Sequence, residues 1–212
     1  MSKITKSDGT AGTIYDAAAD QGVETVYDGW APGYDGDTAR LGFRLPGLAA
    51  AYLARHLAPG AGPILDAAAG TGLVGGYLRG LGHDDLHGLD ISAGMLEVAE
   101  ATGAYRTITR HDLSDPLPFA DDSFAAALII GALGPGHAPP GCLRELARVV
   151  RPGGILVFNV VAASAVEQGF PGLIGDLERQ GIWRKRDESP VWDVYSSPEE
   201  SVKAIVYVFE VA

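Results

Sequence analysis

Gly70-Thr71-Gly72-Leu73-Val74-Gly75 spells G-x-G-x-x-G between a short apolar run, Pro63-Ile64-Leu65, and a helical stretch from Leu73 to Leu81. Asp90 lies 90 − 70 = 20 residues past the first of these glycines, at the end of a second apolar run, Leu86–Leu89. Glycines at that spacing let the backbone approach a ligand, the helix behind them offers unpaired N–H groups, and a carboxylate at that distance accepts both hydroxyls of a ribose. The chemistry implied is nucleotide binding, and the glycine pattern alone fits a nicotinamide dinucleotide equally well. Asp66 separates the cases. It sits four residues before Gly70, at the mouth of the first strand, where a dinucleotide would place its pyrophosphate. A carboxylate there repels two phosphates and suits a phosphate-free nucleotide carrying a sulfonium and an ammonium, the charges of S-adenosylmethionine. That reading rests on Asp66 facing the cationic end of the ligand.

Other side chains could add chemistry. His137, in Gly134-Pro135-Gly136-His137 after the fourth strand, is the candidate general base, because imidazole titrates near neutral pH; a solvated or backbone-bonded histidine is the plain alternative. Tyr27, Trp30 and Tyr34, spaced 3 and 4 apart, share one face of a helical turn, either as a staple or as a lid that buries a sulfonium. Arg44 either reaches a ligand carboxylate or is a surface arginine. Cys142 follows two prolines at a helix start and has no paired base, so it reads as packing; His56, His83 and His87 lie away from the expected mouth. No cluster has metal-ligand spacing, so no metal is expected.

The elements that must position these groups alternate. Strands at Ile64–Leu65, Leu86–Leu89, Tyr105–Ile108, Phe124–Ile130 and Ile155–Val161 are separated by helices over Leu73–Leu81, Ser92–Ala99 and Leu143–Val149, the last ending at a Pro152-Gly153-Gly154 stop. The apolar Phe124–Ile130 run reads as a strand buried on both faces of a parallel sheet. Two strand-like runs, Ile182–Trp192 and Val202–Val211, close the chain with no helix between them, so the last strand enters antiparallel. The expected fold class is α/β, a doubly wound seven-stranded, mostly parallel sheet with an antiparallel last strand. Residues 1–40 are expected to form an N-terminal arm and lid, with a marginal helix at Tyr15–Ala19, and residues 41–212 the ligand-binding domain. A further helix is expected over Leu41–His56.

Composition bounds the partners. The 212 residues include 16 Lys+Arg and 27 Asp+Glu, a formal charge of −11, which disfavours nucleic acid and anionic membranes. The single cysteine fits a reducing cytosol, and the start of the chain lacks a signal-peptide core. No apolar run reaches the roughly 18 residues that span a bilayer. A cytoplasmic monomer or homodimer is expected.

Asp66-Ala67-Ala68-Ala69-Gly70-Thr71-Gly72 resembles the D-x-G-x-G-x-G loop of the class I S-adenosylmethionine-dependent methyltransferases, with Ala68 replacing the first glycine. Ala68 fits there if its φ stays negative. The resemblance continues through Asp90-Ile91-Ser92 with Met95-Leu96, through His111-Asp112-Leu113, and through Leu117-Pro118-Phe119 and Asp122-Ser123-Phe124 before the fourth strand. It extends to the Arg148–Gly154 turn and to the antiparallel last strand. Upstream, Tyr27-Asp28-Gly29-Trp30-Ala31-Pro32-Gly33-Tyr34-Asp35 resembles a segment that closes over the cofactor. That stretch, with Gly131-Ala132-Leu133 and His137, is most similar to the methyltransferase-like proteins of the Williams–Beuren region.

The resemblance implies a Rossmann-like methyltransferase using S-adenosylmethionine and releasing S-adenosylhomocysteine. The cofactor contacts it implies are Tyr27, Tyr34, Asp66, Ala67, Ala68, Gly70, Thr71, Gly72, Asp90, Ile91, Met95, Asp112, Leu113, Gly131 and Ala132. Asp90 would hold the ribose, Asp112 and the Leu113 N–H the adenine edge, and Ile91 and Met95 its faces. With no long insertion between strands, the acceptor pocket falls to the arm, the Gly131–Pro140 loop and the segment after Val161, with Trp183, Trp192 and Tyr195 as a candidate aromatic wall. Such a pocket suits a small-molecule acceptor. A protein or RNA methyltransferase, footed only on Arg184-Lys185-Arg186, and a cofactor-binding protein without transfer activity are the alternatives.

Overall fold

The computed structural model describes residues 22–134, 136–198 and 200–212. The helix expected at Tyr15–Ala19 lies outside the described residues. Three helices come first: α1 (Val23–Trp30), α2 (Tyr34–Leu41) and α3 (Leu45–Ala54). The alternating core follows as β1 (Ile64–Ala67), α4 (Leu73–Gly80), β2 (Leu86–Asp90), α5 (Ala93–Ala101), β3 (Thr107–Arg110), β4 (Phe124–Ile129), α6 (Cys142–Val149), β5 (Val150–Val161) and α7 (Phe170–Arg179). Three strands end the chain: β6 (Trp183–Glu188), β7 (Trp192–Asp193) and β8 (Lys203–Val211).

The strands lie in the order β3-β2-β1-β4-β5-β8-β6. The first five are parallel, and β8 slots antiparallel between β5 and β6, so the helix-free ending does what its short connection dictates. An eighth strand, the two-residue β7, pairs with β8 beside the expected seven.

Alternation along each strand sends side chains to two opposite cores. Leu65, Ala127, Leu156 and Phe158 pack with α6, α7, Trp183 and Phe209 on one face. Ile64, Ala126, Leu128, Val157 and Val208 pack with α3 and α4 on the other. Three consecutive alanines in β4, all fully buried, let helices approach the sheet centre from both sides.

Boundaries moved where local rules met tertiary demands. The helix before Arg151-Pro152-Gly153-Gly154 ends at Val149 as expected, but that segment is itself the irregular start of β5. The strand begins at Val150 and not at Ile155, and its register jumps from Val150 opposite Phe124 to Ile155 opposite Ala126. Ser92 caps α5 as expected, accepting the Met95 N–H at 3.1 Å. β3 begins at Thr107, because Tyr105 leaves the sheet and enters the interior.

Among the described residues, no helix is long and apolar enough to cross a membrane, and no three His, Cys, Asp or Glu side chains are grouped to hold a metal ion. The order of strands reverses between β1 and β4, which opens a crevice at the carboxyl ends of the strands, the place where open α/β sheets take ligands.

Candidate active site

A deep cleft occupies that crevice. Its walls carry Ala68 and Gly70 after β1, Asp90, Ile91 and Met95 after β2, Asp112 and Leu113 after β3, and Gly131, Ala132 and His137 after β4. Tyr27, Trp30 and Tyr34 close it from above. The structure therefore brings eleven of the fifteen expected cofactor contacts, together with His137, onto one surface.

Four expected contacts stand behind that surface. Asp66 is only 1% exposed and does not face the cleft. Its Oδ2 accepts the Tyr105 hydroxyl at 2.6 Å, and its Oδ1 has no hydrogen-bond partner. The partner is a phenol, not a cation, so no internal salt link forms. Burial pushes the Asp66 carboxyl up to about 7, with the Tyr105 bond pulling the other way and the Asp90 charge adding to the rise. Ala67 is wholly buried in β1. Thr71 turns its Oγ1–H outward to Asp35 Oδ1 at 2.5 Å. Gly72 meets Tyr105 instead of the cleft: a Cβ there would lie 3.1 Å from its ring, and one at Gly75 would lie 2.5 Å from it. Two of the three motif glycines thus make room for a buried tyrosine, and only Gly70, with nothing within 4 Å of a built Cβ, faces the ligand space.

Ala68 corrects a second expectation. Its φ is +62°, in the left-handed region the sequence reading excluded. A side chain in that region costs about 1 kcal/mol. Ala68→Gly is therefore expected to leave stability unchanged or raise it slightly, against the usual sense of an alanine-to-glycine change, as measured by urea denaturation.

Asp90 is held by the loops on either side of it. Oδ2 accepts the Gly70 N–H at 2.8 Å and Oδ1 the Ser92 N–H at 2.9 Å. Burial raises its carboxyl above the usual range, while these backbone donors oppose the rise. Each carboxylate oxygen carries two lone pairs, so both can accept a further donor, as a vicinal diol would supply. Asp112 forms an Asx turn, its Oδ1 accepting the Ser114 N–H at 2.8 Å.

The lid is latched by residues that the sequence reading did not assign. Asp28 Oδ1 accepts the Ser92 hydroxyl at 2.5 Å and the Gly94 N–H at 2.9 Å, bonds that hold its carboxyl below the usual range, the Ser92 bond first. Glu24 pairs with Arg110, whose Nε donates to the Ile91 carbonyl at 3.1 Å. Trp30 and Tyr34 meet edge to face at 4.7 Å. Tyr27 Oη lies 3.0 Å from His137 Nε2, tying the lid to the loop after β4.

The far wall was partly missed. Phe43, Leu45, Ile130, Asn159, Val161, Val194, Tyr195 and Val202 line it. Asn159 had a signal, as the one polar residue in the run Ile155–Val161. Of the expected aromatic wall only Tyr195 is there: Trp183 is in the core, stacked 4.4 Å from Phe209, and Trp192 is exposed on the outside. Arg44 also lies outside the cleft, in a hollow with Asp193 and Lys203. Cys142 is buried, its thiol pushed up to about 12 by burial, consistent with packing.

The cleft suits a phosphate-free nucleotide. Its described lining includes the carboxylates Asp90 and Asp112 and no lysine or arginine, so a diphosphate there would meet negative charge with no side-chain cation to offset it. That acidic lining, not the direction of Asp66, favours the phosphate-free ligand.

Strand order, open glycine turn and paired-acceptor carboxylate define a Rossmann-like nucleotide-binding fold of the methyltransferase type. Residues 65–158 match the family described as "Methyltransferase domain". Human methyltransferase-like protein 27 is 40% identical over 163 residues, covering 74% of this chain and 66% of its own. A demethylmenaquinone methyltransferase of Clavibacter sepedonicus is 35% identical over 154 residues, covering 70% of this chain and 62% of its own. A TehB-like S-adenosylmethionine-dependent methyltransferase from Corynebacterium glutamicum shares the fold with a TM-score of 0.64 at 23% identity, covering 89% of this chain and 99% of that one. The chain belongs to the class I S-adenosylmethionine-dependent methyltransferases, and S-adenosylmethionine is its cofactor. It spans just under two thirds of the length of the two curated relatives.

Proposed function

We propose that this chain transfers the methyl group of S-adenosylmethionine to a small-molecule acceptor by in-line displacement. The observation that carries the reading is a single cleft with two unlike ends. One is the Gly70 turn with Asp90 and Asp112; the other is the neutral wall from Phe43 to Val202. The Clavibacter relative, named for demethylmenaquinone, supports an acceptor of small-molecule size. The basic triplet Arg184-Lys185-Arg186 supports a polymer poorly: Arg184 and Arg186 pair with Glu210, and Lys185 pairs with Glu188.

When bound, the cofactor supplies a methyl carbon activated by its sulfonium, and the methyl passes to the acceptor while the electron pair of the broken bond stays on sulfur. The protein's share is positioning. Asp90 accepts the ribose hydroxyls, Asp112 and the Leu113 N–H take the adenine edge, and Ile91 and Met95 cover its faces. Ala68, Gly70, Gly131 and Ala132 bring backbone close to the aminoacyl end, and Tyr27 and Tyr34 exclude water from above. Ala67, Thr71 and Gly72 shape that turn from behind, and Asp66 does so through Tyr105. Of the expected arm, residues 22–40 serve as the lid on the domain formed by 41–212. His137, in contact with Tyr27, receives the acceptor's proton where the acceptor carries one.

Calorimetric titration with S-adenosylmethionine, S-adenosylhomocysteine and NAD tests the cofactor half. Binding of the first two and not of NAD is expected, and preference for NAD overturns the reading. His137→Ala is expected to lower kcat by about a hundredfold with a small change in cofactor affinity. An unchanged kcat in single-turnover measurements removes His137 from the proton path.

A further inference from the structure

Charged residues flank the far wall at three places, and at each the chain turns the charge outward. Phe43, Val194 and Val202 line the cleft, while their neighbours Arg44, Asp193 and Lys203 line a separate hollow on the outside, where Lys203 pairs with Asp193. The backbone fixes this alternation: the Arg44 N–H donates to the Val194 carbonyl at 2.9 Å, the Val194 N–H donates to the Val202 carbonyl at 2.9 Å, and Phe43 bridges Tyr195. The Phe43 and Tyr195 rings stack at 5.4 Å with 29° between planes, a flat apolar surface at the cleft wall. Ile130, just past β4, and Val161, at the end of β5, complete it.

One fixed polar group interrupts this wall. Asn159 on β5 is 1% exposed and lines the cleft, and its Oδ1 accepts the Gly131 N–H at 2.7 Å. That bond sets the amide's orientation, so the group left for a ligand is the Nδ2 pair of donors.

We propose that the acceptor is a neutral, mainly hydrocarbon, flat molecule that lies on the Phe43–Tyr195 pair and presents an oxygen to the Asn159 amide, as a phenol or enol does. The proposal rests on the methyltransferase reading and specifies its substrate class. A carboxylate or ammonium remote from the reacting atom would be buried against this wall with no opposite charge among the wall's own described residues, Asp90 and Asp112 standing at the other end of the cleft. An uncharged ring loses only water there.

Equilibrium binding to protein saturated with S-adenosylhomocysteine tests the idea, with 2-naphthol, 2-naphthoate and 2-naphthylmethylammonium as matched probes. Naphthol is expected to bind about tenfold or more tighter than either charged probe. Asn159→Asp keeps the acceptor for the Gly131 N–H and loses the donors. It is expected to weaken naphthol by about tenfold, a larger loss than it causes for S-adenosylhomocysteine. Equal binding of a charged probe, no binding of naphthol to the loaded protein, or unchanged naphthol affinity in Asn159→Asp each overturns the proposal. Failure to bind S-adenosylhomocysteine in the first place overturns the methyltransferase reading instead, so the two failures are told apart in one experiment.

Discussion

Replacing Asp90 with alanine is expected to weaken S-adenosylhomocysteine binding by about a hundredfold or more while the protein stays folded. The carboxylate is already oriented by the Gly70 and Ser92 N–H groups, so no rotamer has to be frozen when a ribose arrives. Two charge-assisted bonds to a diol contribute about 3–4 kcal/mol together, and that sum converts to a loss of about two to three powers of ten. Stability responds in two opposing ways. The Gly70 and Ser92 donors lose their partner, but a carboxyl whose burial disfavours its charge is removed as well. Asp90→Asn keeps the volume but turns an amide NH2 toward one of two backbone N–H donors, so it too is expected to bind poorly. Calorimetry on both variants, with thermal unfolding as the control for folding, decides the matter. Binding within about threefold of the parent protein in Asp90→Ala would move the ribose elsewhere.

Much of the frame could be read from local pattern. Alternating apolar runs placed five parallel strands, Ser92 announced the start of a helix, and the helix-free ending of the chain dictated an antiparallel partner for β5. Those signals are short-range, and the physics behind them is short-range as well. What the sequence concealed is set by packing between distant residues. Tyr105 reads as the first residue of a strand, yet its ring fills a slot that Gly72, Gly75 and Gly88 leave open. One tyrosine and three glycines spread over β2, α4 and its approach leave no periodic trace. The same slot gives Gly72 and Gly75 a reason to be glycine that is separate from any ligand: a glycine answers to any close neighbour, and here two answer to a side chain. The Asp28 and Asp35 latches span 64 and 36 residues to Ser92 and Thr71, so each looks like an ordinary exposed carboxylate until the lid is folded over the turn. The Ala68 φ follows from the turn's geometry, which the rest of the loop imposes on a residue that would not choose it. Asn159 was legible in principle, since a polar side chain inside an apolar strand calls for a partner or a role.

Asp66 is expected to make the protein less stable as pH rises toward neutrality, and Asp66→Asn to remove most of that dependence. The folded carboxyl titrates at about 7 against an ordinary value of 3.8, because burial penalises its charge more than the Tyr105 bond favours it. Between those two values the folded state holds a proton that the unfolded chain has released. Raising pH then favours unfolding by about 1.4 kcal/mol per unit until the folded group itself ionises. From about pH 5.5 to about pH 8 this single residue costs about 2 kcal/mol. The Asp90 carboxyl, also raised by burial, works in the same sense and is the part of the slope that Asp66→Asn leaves. Those of Asp28, Asp37, Asp193 and Glu145, held low by their partners, work in the opposite sense but titrate below this window. Urea unfolding at the two pH values, in the parent protein and in Asp66→Asn, measures the difference directly. Tyr105→Phe sharpens the test. It removes the donor that draws the Asp66 carboxyl down and leaves the Gly75 N–H, 3.2 Å from the lost oxygen, without its acceptor. That variant is expected to be destabilised by about 2–3 kcal/mol and to extend the sloping region to higher pH. Identical pH slopes in the parent protein and Asp66→Asn would mean that Asp66 is ionised throughout, and that the unpartnered Oδ1 is satisfied by a group that the interior supplies in solution.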